Sequence, residues 1–421
     1  MKVLVVGNGG REHALAWRLL QSPSCSELFA TRPNAGLAAL AKAVDIAPDD
    51  IDGLVGFAKS EGIGLTVIGP EKPLTMGIVD AFEANGLLAW GPRQAAAELE
   101  GSKAFAKAMM QQAGIPTAAY GVFDDVEKAK AWVREFARPV AVKADGLAAG
   151  KGVVLCHSVE AAEKALDNML SGGAFGAAGH LVVVEELLEG EEFSFIALCD
   201  GTHVLPLASS QDHKRIGEGD RGLNTGGMGA YSPAPIATPE VEAQVMREVM
   251  EPAVRAMGDA GKPFLGFLYA GIMMTGEGPV VLEFNVRLGD PETQPLMARL
   301  KSDLVSVLLA GIDRRLDEVQ LQWDDRPAIC VVMASAGYPL TSSKGDVISG
   351  LEGETAEGVT VFHAGSAWDS KGRLVTAGGR VLGVTALGED LADAAKRAYT
   401  QVDRITWPGE QHRRDIGWRA L

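Results

Sequence analysis

The sequence predicts a multidomain protein of the α/β and α+β classes, with a doubly wound parallel sheet at its N-terminus and a small mixed α/β domain at its C-terminus. Three observations predict this architecture. The chain has 421 residues, which is too long for one ordinary core. Residues 1 to about 100 alternate short apolar strands with amphipathic helices, which is typical of a parallel sheet covered on both faces. From Arg326 onward, short strands alternate with turns before one helix.

The predicted N-terminal strands are KVLVVG, ELFAT, LTVIGP and LLAWGP. The helices that alternate with them are EHALAWRLLQ, DDIDGLVGFAKSEG and IVDAFEANG. SKAFAKAMMQQAG predicts a helix that ends at Gly114 and leads into a smaller region. The segment DHKRIGEGDRGLNTGGMGAYSPAP, rich in Gly and Pro, is predicted to be a long loop, and such loops are usually functional. We divide the chain into four units, at residues 1–103, 104–122 together with 190–325, 123–189, and 326–421.

Composition excludes several classes of protein. Hydrophobic residues make up 47% and charged residues 22%, so each unit can bury a normal core. The formal net charge of -16 disfavours nucleic acid and anionic membranes as partners. The sequence has no apolar span of about 18 residues, and its N-terminal apolar run is too short for a signal peptide. The four cysteines are far apart, which indicates thiols in a reducing compartment. We therefore expect a soluble, cytoplasmic protein, with a monomer as the default state.

The motif GNGGREHA follows the first strand and opens a helix. Backbone N–H groups and the helix dipole favour a phosphate at that position, Gly9 and Gly10 allow close approach, and Arg11 adds a cation. A dinucleotide is disfavoured because Glu12 replaces the third glycine of GxGxxG. A phosphate-bearing substrate and a merely tight turn both remain open. Glu71, in the loop GPEKPL after another strand, lies at the same edge of the sheet and could meet ligand hydroxyls or solvent.

The stretch PVAVKADGLAAGKGVV places Lys143 inside an apolar strand, before a glycine-rich loop. Such a lysine either extends to solvent or meets an anion. A loop with Gly150, Lys151 and Gly152 favours a triphosphate as that anion. The stretch is not a P-loop, because no Ser or Thr follows the lysine.

The segment HLVVVEELLEGEEFSF places an acidic run at the end of a strand. A backbone hinge at Leu187 and Leu188 can offer one C=O and one N–H to an adenine edge, while the carboxylates of Glu185 or Glu192 accept from ribose hydroxyls. Taken alone, the acidic run is more often a solvated turn.

The stretch EFNVRLGDPETQ places three polar side chains at alternate positions of a strand. Glu283, Asn285 and Arg287 would therefore share one face. Carboxylate and amide oxygens are hard ligands suited to Mg²⁺. A solvated polar face is the alternative, but the intervening residues are apolar, which favours an enclosed cleft.

Together these parts resemble the ATP-grasp superfamily. The resemblance rests on Lys103 in GSK, the strand lysine, the glycine loop, the EELL hinge and the ExN strand. Within that superfamily, VLVVGNGGREHALAW, the long segment after residue 211, RLGDPETQ and GRVLGVTALG resemble the glycinamide ribonucleotide synthetase family. The four units then correspond to a Rossmann-like domain that holds the phosphoribosyl substrate, the main ATP-grasp domain, its lid subdomain (123–189) and a C-terminal domain.

The resemblance also implies an activity and site residues. Members join glycine to 5-phosphoribosylamine with ATP and Mg²⁺ or Mn²⁺, through a glycyl phosphate. Many ATP-grasp ligases carry a further acid on the strand that reads LYAGIMMT here, so we expect fewer protein ligands for the metal. The implied ATP-binding residues are Lys103, Lys143, Gly150, Lys151, Gly152, Glu185, Leu187, Leu188 and Glu192, and the metal ligands are Glu283 and Asn285. The implied substrate-binding residues are Gly9, Gly10, Arg11, Glu71, Asp212, Lys214, Arg287 and Asp290, with Arg287, Asp212 and Lys143 as catalytic candidates.

Three other functions remain open at this point. Within the fold, another carboxylate-amine ligase or a carboxylase of purine synthesis would use the same ATP site. An NAD-dependent oxidoreductase would explain the first strand-helix-strand unit but not Lys143, the hinge or the ExN strand. A nucleotide-binding regulator without turnover would use the ATP site alone.

Overall fold

The computed structural model describes residues 1–147, 152–171, 180–353 and 355–421, so Gly150 and Lys151 lie outside the described residues. The N-terminal domain is a five-stranded sheet in the order β3-β2-β1-β4-β5 with every strand parallel. Its strands are β1 (Lys2–Val6), β2 (Glu27–Thr31), β3 (Lys42–Val44), β4 (Ile63–Ile68) and β5 (Ala89–Trp90). The helices are α1 (Gly10–Leu19), α2 (Leu37–Leu40), α3 (Ile51–Glu61), α4 (Glu71–Thr75), α5 (Ile78–Ala84), α6 (Gln94–Gly101) and α7 (Lys103–Ala113), the last of which leads out of the domain.

The predicted parallel sheet is confirmed, and its strand order explains where the first site lies. The direction of strand addition reverses between β1 and β4, and ligands of such sheets bind where that happens, at the carboxyl ends of the strands. The loops after β1 and β4 meet there, because the Gly69 N–H donates to the Val6 carbonyl at 2.9 Å. The fold therefore places GNGG and GPEK beside each other.

The smaller region is a four-stranded antiparallel sheet in the order β6-β9-β7-β8, covered by two helices. Val142 and Val184 of the sheet pack with Ala129 and Ala162 of the helices in one apolar core. Its elements are β6 (Tyr120–Phe123), α8 (Val126–Phe136), β7 (Val140–Ala144), β8 (Val153–Cys156), α9 (Val159–Leu166), a π-helical turn (Asp167–Ser171) and β9 (Val182–Glu186). Side chains alternate along β7, so Lys143 faces away from this core.

The larger α+β unit is built on a second antiparallel sheet in the order β11-β10-β16-β17. Its strands and those of the following segment are β10 (Glu191–Asp200), β11 (Val204–Pro206), β12 (Gln211–Asp212), β13 (Arg215–Gly217), β14 (Arg221–Asn224), β15 (Gly229–Ser232), β16 (Leu265–Thr275) and β17 (Gly278–Asn285). Its helices are α10 (Pro239–Val245), a π-helical turn (Met246–Met250), α11 (Glu251–Asp259), α12 (Thr293–Arg299), α13 (Leu304–Ile312) and a 3-10 turn (Leu316–Glu318).

The prediction of one long loop after residue 211 is wrong. That segment contains the short strands β12 to β15, and β13 pairs with β14 as a hairpin. β12 and β15 join the C-terminal sheet, whose order is β12-β15-β18-β22-β19. Gly and Pro are typical of loops, but backbone pairing with a distant strand overrides that local preference.

The C-terminal domain completes this third sheet and covers it with one helix. Its elements are β18 (Ala328–Ala334), β19 (Val359–His363), β20 (Ser366–Trp368), β21 (Leu374–Thr376), β22 (Arg380–Leu387), α14 (Leu391–Val402) and a 3-10 turn (Trp418–Ala420). Because β15 hydrogen-bonds to β18, the sheet crosses the boundary that we predicted at residue 326. The long segment is thereby held against the C-terminal domain, which brings both to the site described below.

Two further features bear on the protein's class. Within the described ranges, no helix is both long and apolar enough to cross a membrane. All four cysteines are free thiols, three of them buried, as the sequence predicted.

Candidate nucleotide and substrate site

The polar face of β17 lies where the sequence predicts it. The Arg287 Nη2 donates to Asn285 Oδ1 at 3.1 Å, so these two side chains meet just beyond the end of the strand. Arg287 is not free, however, because its Nη2 lies 2.9 Å from Glu100 Oε1 and its Nε lies 3.4 Å from Glu71 Oε2. Burial would lower the pKa of Arg287, but Glu100 and Glu71 outweigh it and raise that pKa above its ordinary value. The guanidinium is thus a charged group already balanced by two carboxylates.

The charge of Glu283 is influenced by two predicted phosphate-binding lysines, Lys103 and Lys143, and by Lys214. Burial would raise its pKa, but Lys214, Lys143 and Lys103 outweigh burial and lower it. Lys143 approaches the same strand from the smaller sheet, and its Nζ donates to the Leu282 carbonyl at 3.4 Å. Three ammonium groups from separate elements thus act electrostatically on this carboxylate, and the Lys143 contact shows that the smaller sheet meets β17 here.

The donor set at β17 fits a hard divalent cation with few protein ligands. Glu283 and Asn285 offer one carboxylate and one amide oxygen on the same face. In the part of the chain that the structure describes, no group of three or more His, Cys, Asp or Glu side chains could hold a metal. Gly271 pairs directly with Glu283, at the strand where the sequence lacks the further acid. Such a metal would complete its coordination with water or phosphate oxygens, as Mg²⁺ commonly does.

A buried carboxylate between two lysines lies beside this point. Glu185 forms ion pairs with Lys143 and with Lys107, and all three side chains are at most 8% exposed. Burial would raise the pKa of Glu185, but Lys143 and Lys107 outweigh it and lower it. Our sequence reasoning missed Lys107. The available signal was its spacing, because Lys107 lies four residues after Lys103 on α7 and so shares its face.

Lys103 reaches the start of the glycine-rich loop. Its Nζ donates to the Gly146 carbonyl at 2.9 Å, and burial lowers its pKa. Gly152, at the other end of the loop, accepts a hydrogen bond from the Ala144 N–H at 2.8 Å through its carbonyl. The roles predicted for Gly150 and Lys151 concern residues outside the described part of the chain.

The hinge after β9 offers fewer contacts for an adenine than the sequence suggests. The carboxylate of Glu185 is taken by the two lysines, and the Leu187 N–H donates to the Pro139 carbonyl at 3.0 Å. Among the described residues, the Leu188 N–H has no acceptor, so it is the hinge donor left for a ligand. Glu192, predicted to hold ribose, forms an ion pair with Lys214.

The residues of β12 add a second group of charges. Loss of hydration, against the opposing charge of Lys214 and together with Glu292, Glu192 and Glu283, raises the pKa of Asp212 to about 8. Glu292 was not among the predicted site residues. It is buried and accepts a hydrogen bond from Ser194 Oγ at 3.1 Å. This excess of carboxylates over ammonium groups suits a ligand that carries a positive charge.

Glycines in the loops after β1 and β4 make room for a side chain of the protein itself. The Gly9 N–H donates to Glu12 Oε2 at 2.6 Å, so a side chain of the protein caps α1. A Cβ on Gly7 would lie 2.7 Å from Glu12 Cγ, and one on Gly69 would lie 2.0 Å from Glu12 Oε1. The glycines therefore make room for Glu12, and a phosphate at the Gly9 N–H would have to displace its carboxylate.

Asp290 and Arg380 connect the N-terminal loop to the C-terminal domain. Cβ atoms added to Gly9 and Gly10 would lie 3.6 and 3.5 Å from the carboxylate of Asp290. Arg380 Nη2 is 3.5 Å from Asp290 Oδ2, and Arg380 Nη1 donates to the Gly226 carbonyl at 2.6 Å. Arg11 Nη1 also donates to the Leu288 carbonyl at 3.0 Å. Four of the predicted substrate residues, Gly9, Gly10, Arg11 and Asp290, thus lie close together beside Arg380 of the C-terminal domain.

Comparison with known proteins identifies the family of this chain. Three domains of the phosphoribosylglycinamide synthetase family match the chain in order: the N domain at residues 1–100, the ATP-grasp (A) domain at residues 101–293 and the C domain at residues 328–419. A phosphoribosylamine–glycine ligase of Allochromatium vinosum is 58% identical over 100% of this chain and 99% of its own length. The enzyme of that name from Xanthomonas campestris is 56% identical over 100% of this chain and 98% of its own.

Solved structures give the same result. The crystal structure of phosphoribosylamine–glycine ligase from Thermotoga maritima superposes with a TM-score of 0.85 at 32% identity and covers 99% of this chain and 100% of its own. The biotin carboxylase domain of a 2-oxoglutarate carboxylase from Hydrogenobacter thermophilus covers 97% and 91% at a TM-score of 0.76. At 20% identity, that second likeness shows the fold alone. The predicted ATP-grasp fold and family are confirmed, and this chain belongs to the phosphoribosylglycinamide synthetase family.

Proposed function

We propose that this chain joins glycine to 5-phosphoribosylamine with ATP, giving glycinamide ribonucleotide, ADP and phosphate in purine biosynthesis. Relatives more than half identical over the whole chain carry the name of that ligase. One observation carries the chemistry: Lys143 donates to the Leu282 carbonyl on the strand that presents Glu283 and Asn285, and Lys214, Lys143 and Lys103 together lower the pKa of Glu283. We also expect the protein to act in the cytoplasm as a monomer, without nucleic acid or a membrane as partner.

The reaction needs activation of a carboxylate. An amine cannot displace oxide from glycine, so the carboxylate first attacks the γ-phosphoryl group of ATP. The amine of phosphoribosylamine then displaces phosphate from the resulting glycyl phosphate. Both partners of the first step are anions, and fixed positive charge lowers its barrier. Mg²⁺ or Mn²⁺ held by Glu283 and Asn285 would neutralise phosphate oxygens when bound.

The lysines are the main source of positive charge from the protein itself. Lys103 and Lys143 approach Glu283 from α7 and β7, two separate elements that converge at one point. Arg287, by contrast, already balances Glu100 and Glu71, so it adds little net charge. We therefore assign Arg287 to orienting the substrate and the Asn285 amide, and Lys143 with Lys103 to the phosphates.

The excess of carboxylates fits the glycine ammonium group. Glu292 is buried, and its charge helps to raise the pKa of Asp212. A positively charged ligand would be favoured at such a place, because it restores neutrality where water is excluded. Asp212 and Lys214 therefore remain our candidates for positioning glycine.

The second substrate would lie between the N-terminal loop and the C-terminal domain. Asp290 and Glu71 can accept hydrogen bonds from ribose hydroxyls, while Arg11 and the Gly9–Gly10 backbone flank the same space. Because the Glu12 carboxylate accepts from the Gly9 N–H at the start of α1, the substrate phosphate depends on guanidinium groups rather than on the Gly9 N–H alone. Arg380, which pairs with Asp290, supplies a second guanidinium from the opposite domain.

A substrate assay tests the proposal. Freshly generated phosphoribosylamine, ATP and Mg²⁺ are mixed with glycine, alanine or bicarbonate, and ADP release and product mass are measured. We expect ADP release to depend on glycine and to match formation of glycinamide ribonucleotide. ADP release that requires bicarbonate, or ATP binding without turnover, would overturn the proposal in favour of a carboxylase or a regulator.

A further inference from the structure

Lys107 is a buried charge that the mechanism above does not use. Its side chain is 3% exposed, although it belongs to a residue type that is rarely buried without a partner. It lies one turn after Lys103 on α7, on the side that faces the smaller sheet. Burial lowers its pKa despite the opposing attraction of Glu185. Burial of the Lys107 ammonium group costs free energy, so we expect this charge to have a function.

The contacts of Lys107 connect the two antiparallel sheets. Its Nζ forms an ion pair with Glu185 at the end of β9 and donates to Thr117 Oγ1 at 2.7 Å. Thr117 Oγ1 donates in turn to the Val281 carbonyl of β17 at 3.0 Å. Lys107 is therefore held in place from the β17 side while it contacts a carboxylate of the smaller sheet.

The same carboxylate also holds Lys143. Glu185 is 3% exposed at its side chain and has an ammonium group on each oxygen, Lys143 at Oε1 and Lys107 at Oε2. One ammonium would be enough to balance it. The second becomes necessary only if the first leaves, since a buried charge that loses its partner is strongly destabilised.

We propose that Lys107 is a positioning residue that keeps Glu185 neutralised when Lys143 turns from Glu185 to the phosphates of ATP. This inference rests on the proposed role of Lys143 at those phosphates. Without Lys107, moving Lys143 would leave a buried carboxylate alone, so Lys143 would stay on Glu185 and ATP would bind more weakly.

A double-variant cycle tests this mechanism. Binding of ATP with Mg²⁺ is measured by calorimetry for the wild type, Lys107→Met, Glu185→Gln and the double variant. Lys107→Met should weaken ATP binding by at least about tenfold. In the Glu185→Gln background no carboxylate needs a partner, so the same change should have almost no effect.

Kinetics and a matched control separate this role from a general loss of structure. Lys107→Met should raise the KM for ATP with little change in kcat, because saturating ATP still draws Lys143 to its phosphates. The control is Lys262→Met, which removes a cation 2.6 Å from Glu98 and 4.2 Å from the centre of the Phe105 ring, without contact to Glu185. It should leave ATP affinity unchanged.

Two results would overturn the inference: unaltered ATP binding in Lys107→Met, or an equal loss with and without Glu185→Gln. If Lys107→Met fails to fold, Lys107→Gln takes its place, since its amide can still donate to Thr117. Failure of the proposed function is distinct, because a wild type that binds ATP but makes no product from glycine would leave the binding cycle interpretable.

Discussion

Replacing Arg287 by methionine tests whether this residue has a role beyond ion pairing. Its guanidinium lies 2.9 Å from Glu100 Oε1, and the two side chains are 19% and 8% exposed. Glu100 Oε2 also accepts from the Val286 N–H at 2.8 Å, so the carboxylate cannot turn to solvent. Removing one partner of a buried pair costs about 3 to 5 kcal/mol. For a cooperative unit of 150–250 residues, this corresponds to a loss of roughly 6 to 20 °C in unfolding midpoint.

The loss of stability in Arg287→Met should depend on pH in a defined direction. Burial already raises the pKa of Glu100 above the ordinary 4.5, and Arg287 opposes that rise. Without Arg287 the folded-state pKa rises further, so the unfolded state releases its proton first. Stability is then lost as the pH rises from about 4.5 through the folded-state pKa, and the deficit relative to the wild type is largest at neutral pH.

Calorimetric unfolding from pH 4 to 8 measures the loss of stability and its pH dependence, and product assays measure activity. Arg287→Met with Glu100→Gln should recover most of the stability, because the more deeply buried carboxylate is removed and the one left without its guanidinium, Glu71, is 29% exposed. It should not recover activity, because the group that orients Asn285 is still missing. A single variant as stable as the wild type would refute the energetic reasoning. Full activity in the double variant would show that Arg287 serves only to balance Glu100.

Three further predictions concern other parts of the molecule. Glu283→Ala should lower the rate of product formation about 10² to 10³-fold, and near-normal ADP release would contradict its role at the metal. Gly7→Ala should destabilise the N-terminal domain more than Gly62→Ala in thermal unfolding, because a Cβ on Gly7 would lie 2.7 Å from Glu12. A Cβ on Gly62 would meet open space, so Gly62→Ala should cost only the strain of a left-handed backbone, about 1 to 2 kcal/mol. Burial lowers the pKa of His363 to about 4 from 6.5, so the folded state loses up to about 3 kcal/mol as the pH falls through that window. Equal acid sensitivity of His363→Gln and the wild type would argue against this.

Local patterns were sufficient for most of the elements that carry the site. Apolar runs predicted β1 and β4, and their alternation with helices predicted a parallel sheet, because period and turn residues are local properties. The alternation of Glu283, Asn285 and Arg287 predicted a shared face for the same reason. The segment after residue 211 could not be predicted in this way, since β15 forms only by pairing with β18 about a hundred residues later.

The partners of each charge could not be found from local patterns. Nothing near Glu12 shows that its carboxylate fills the space left by Gly7 and Gly69, because Gly69 belongs to a different strand-helix unit. Lys107 likewise has no acid within six residues in the chain, and Glu185 is 78 residues away, counted as 185 minus 107. Pairing of this kind depends on how domains pack, which a window of the sequence does not contain.

The order of amino acids was therefore enough to establish the family, the ATP-grasp fold and the types of group at the site, because each motif keeps its chemistry and spacing within a few residues. Folding in three dimensions settled which of those groups are free. Arg287 pairs with Glu100, and Lys143 pairs with Glu185. Lys214 pairs with Glu192, whereas Glu283 has no ion pair among the described residues. The physical reason is that the strength of a charge depends on burial and on neighbours within a few ångströms, and both arise only when distant segments meet.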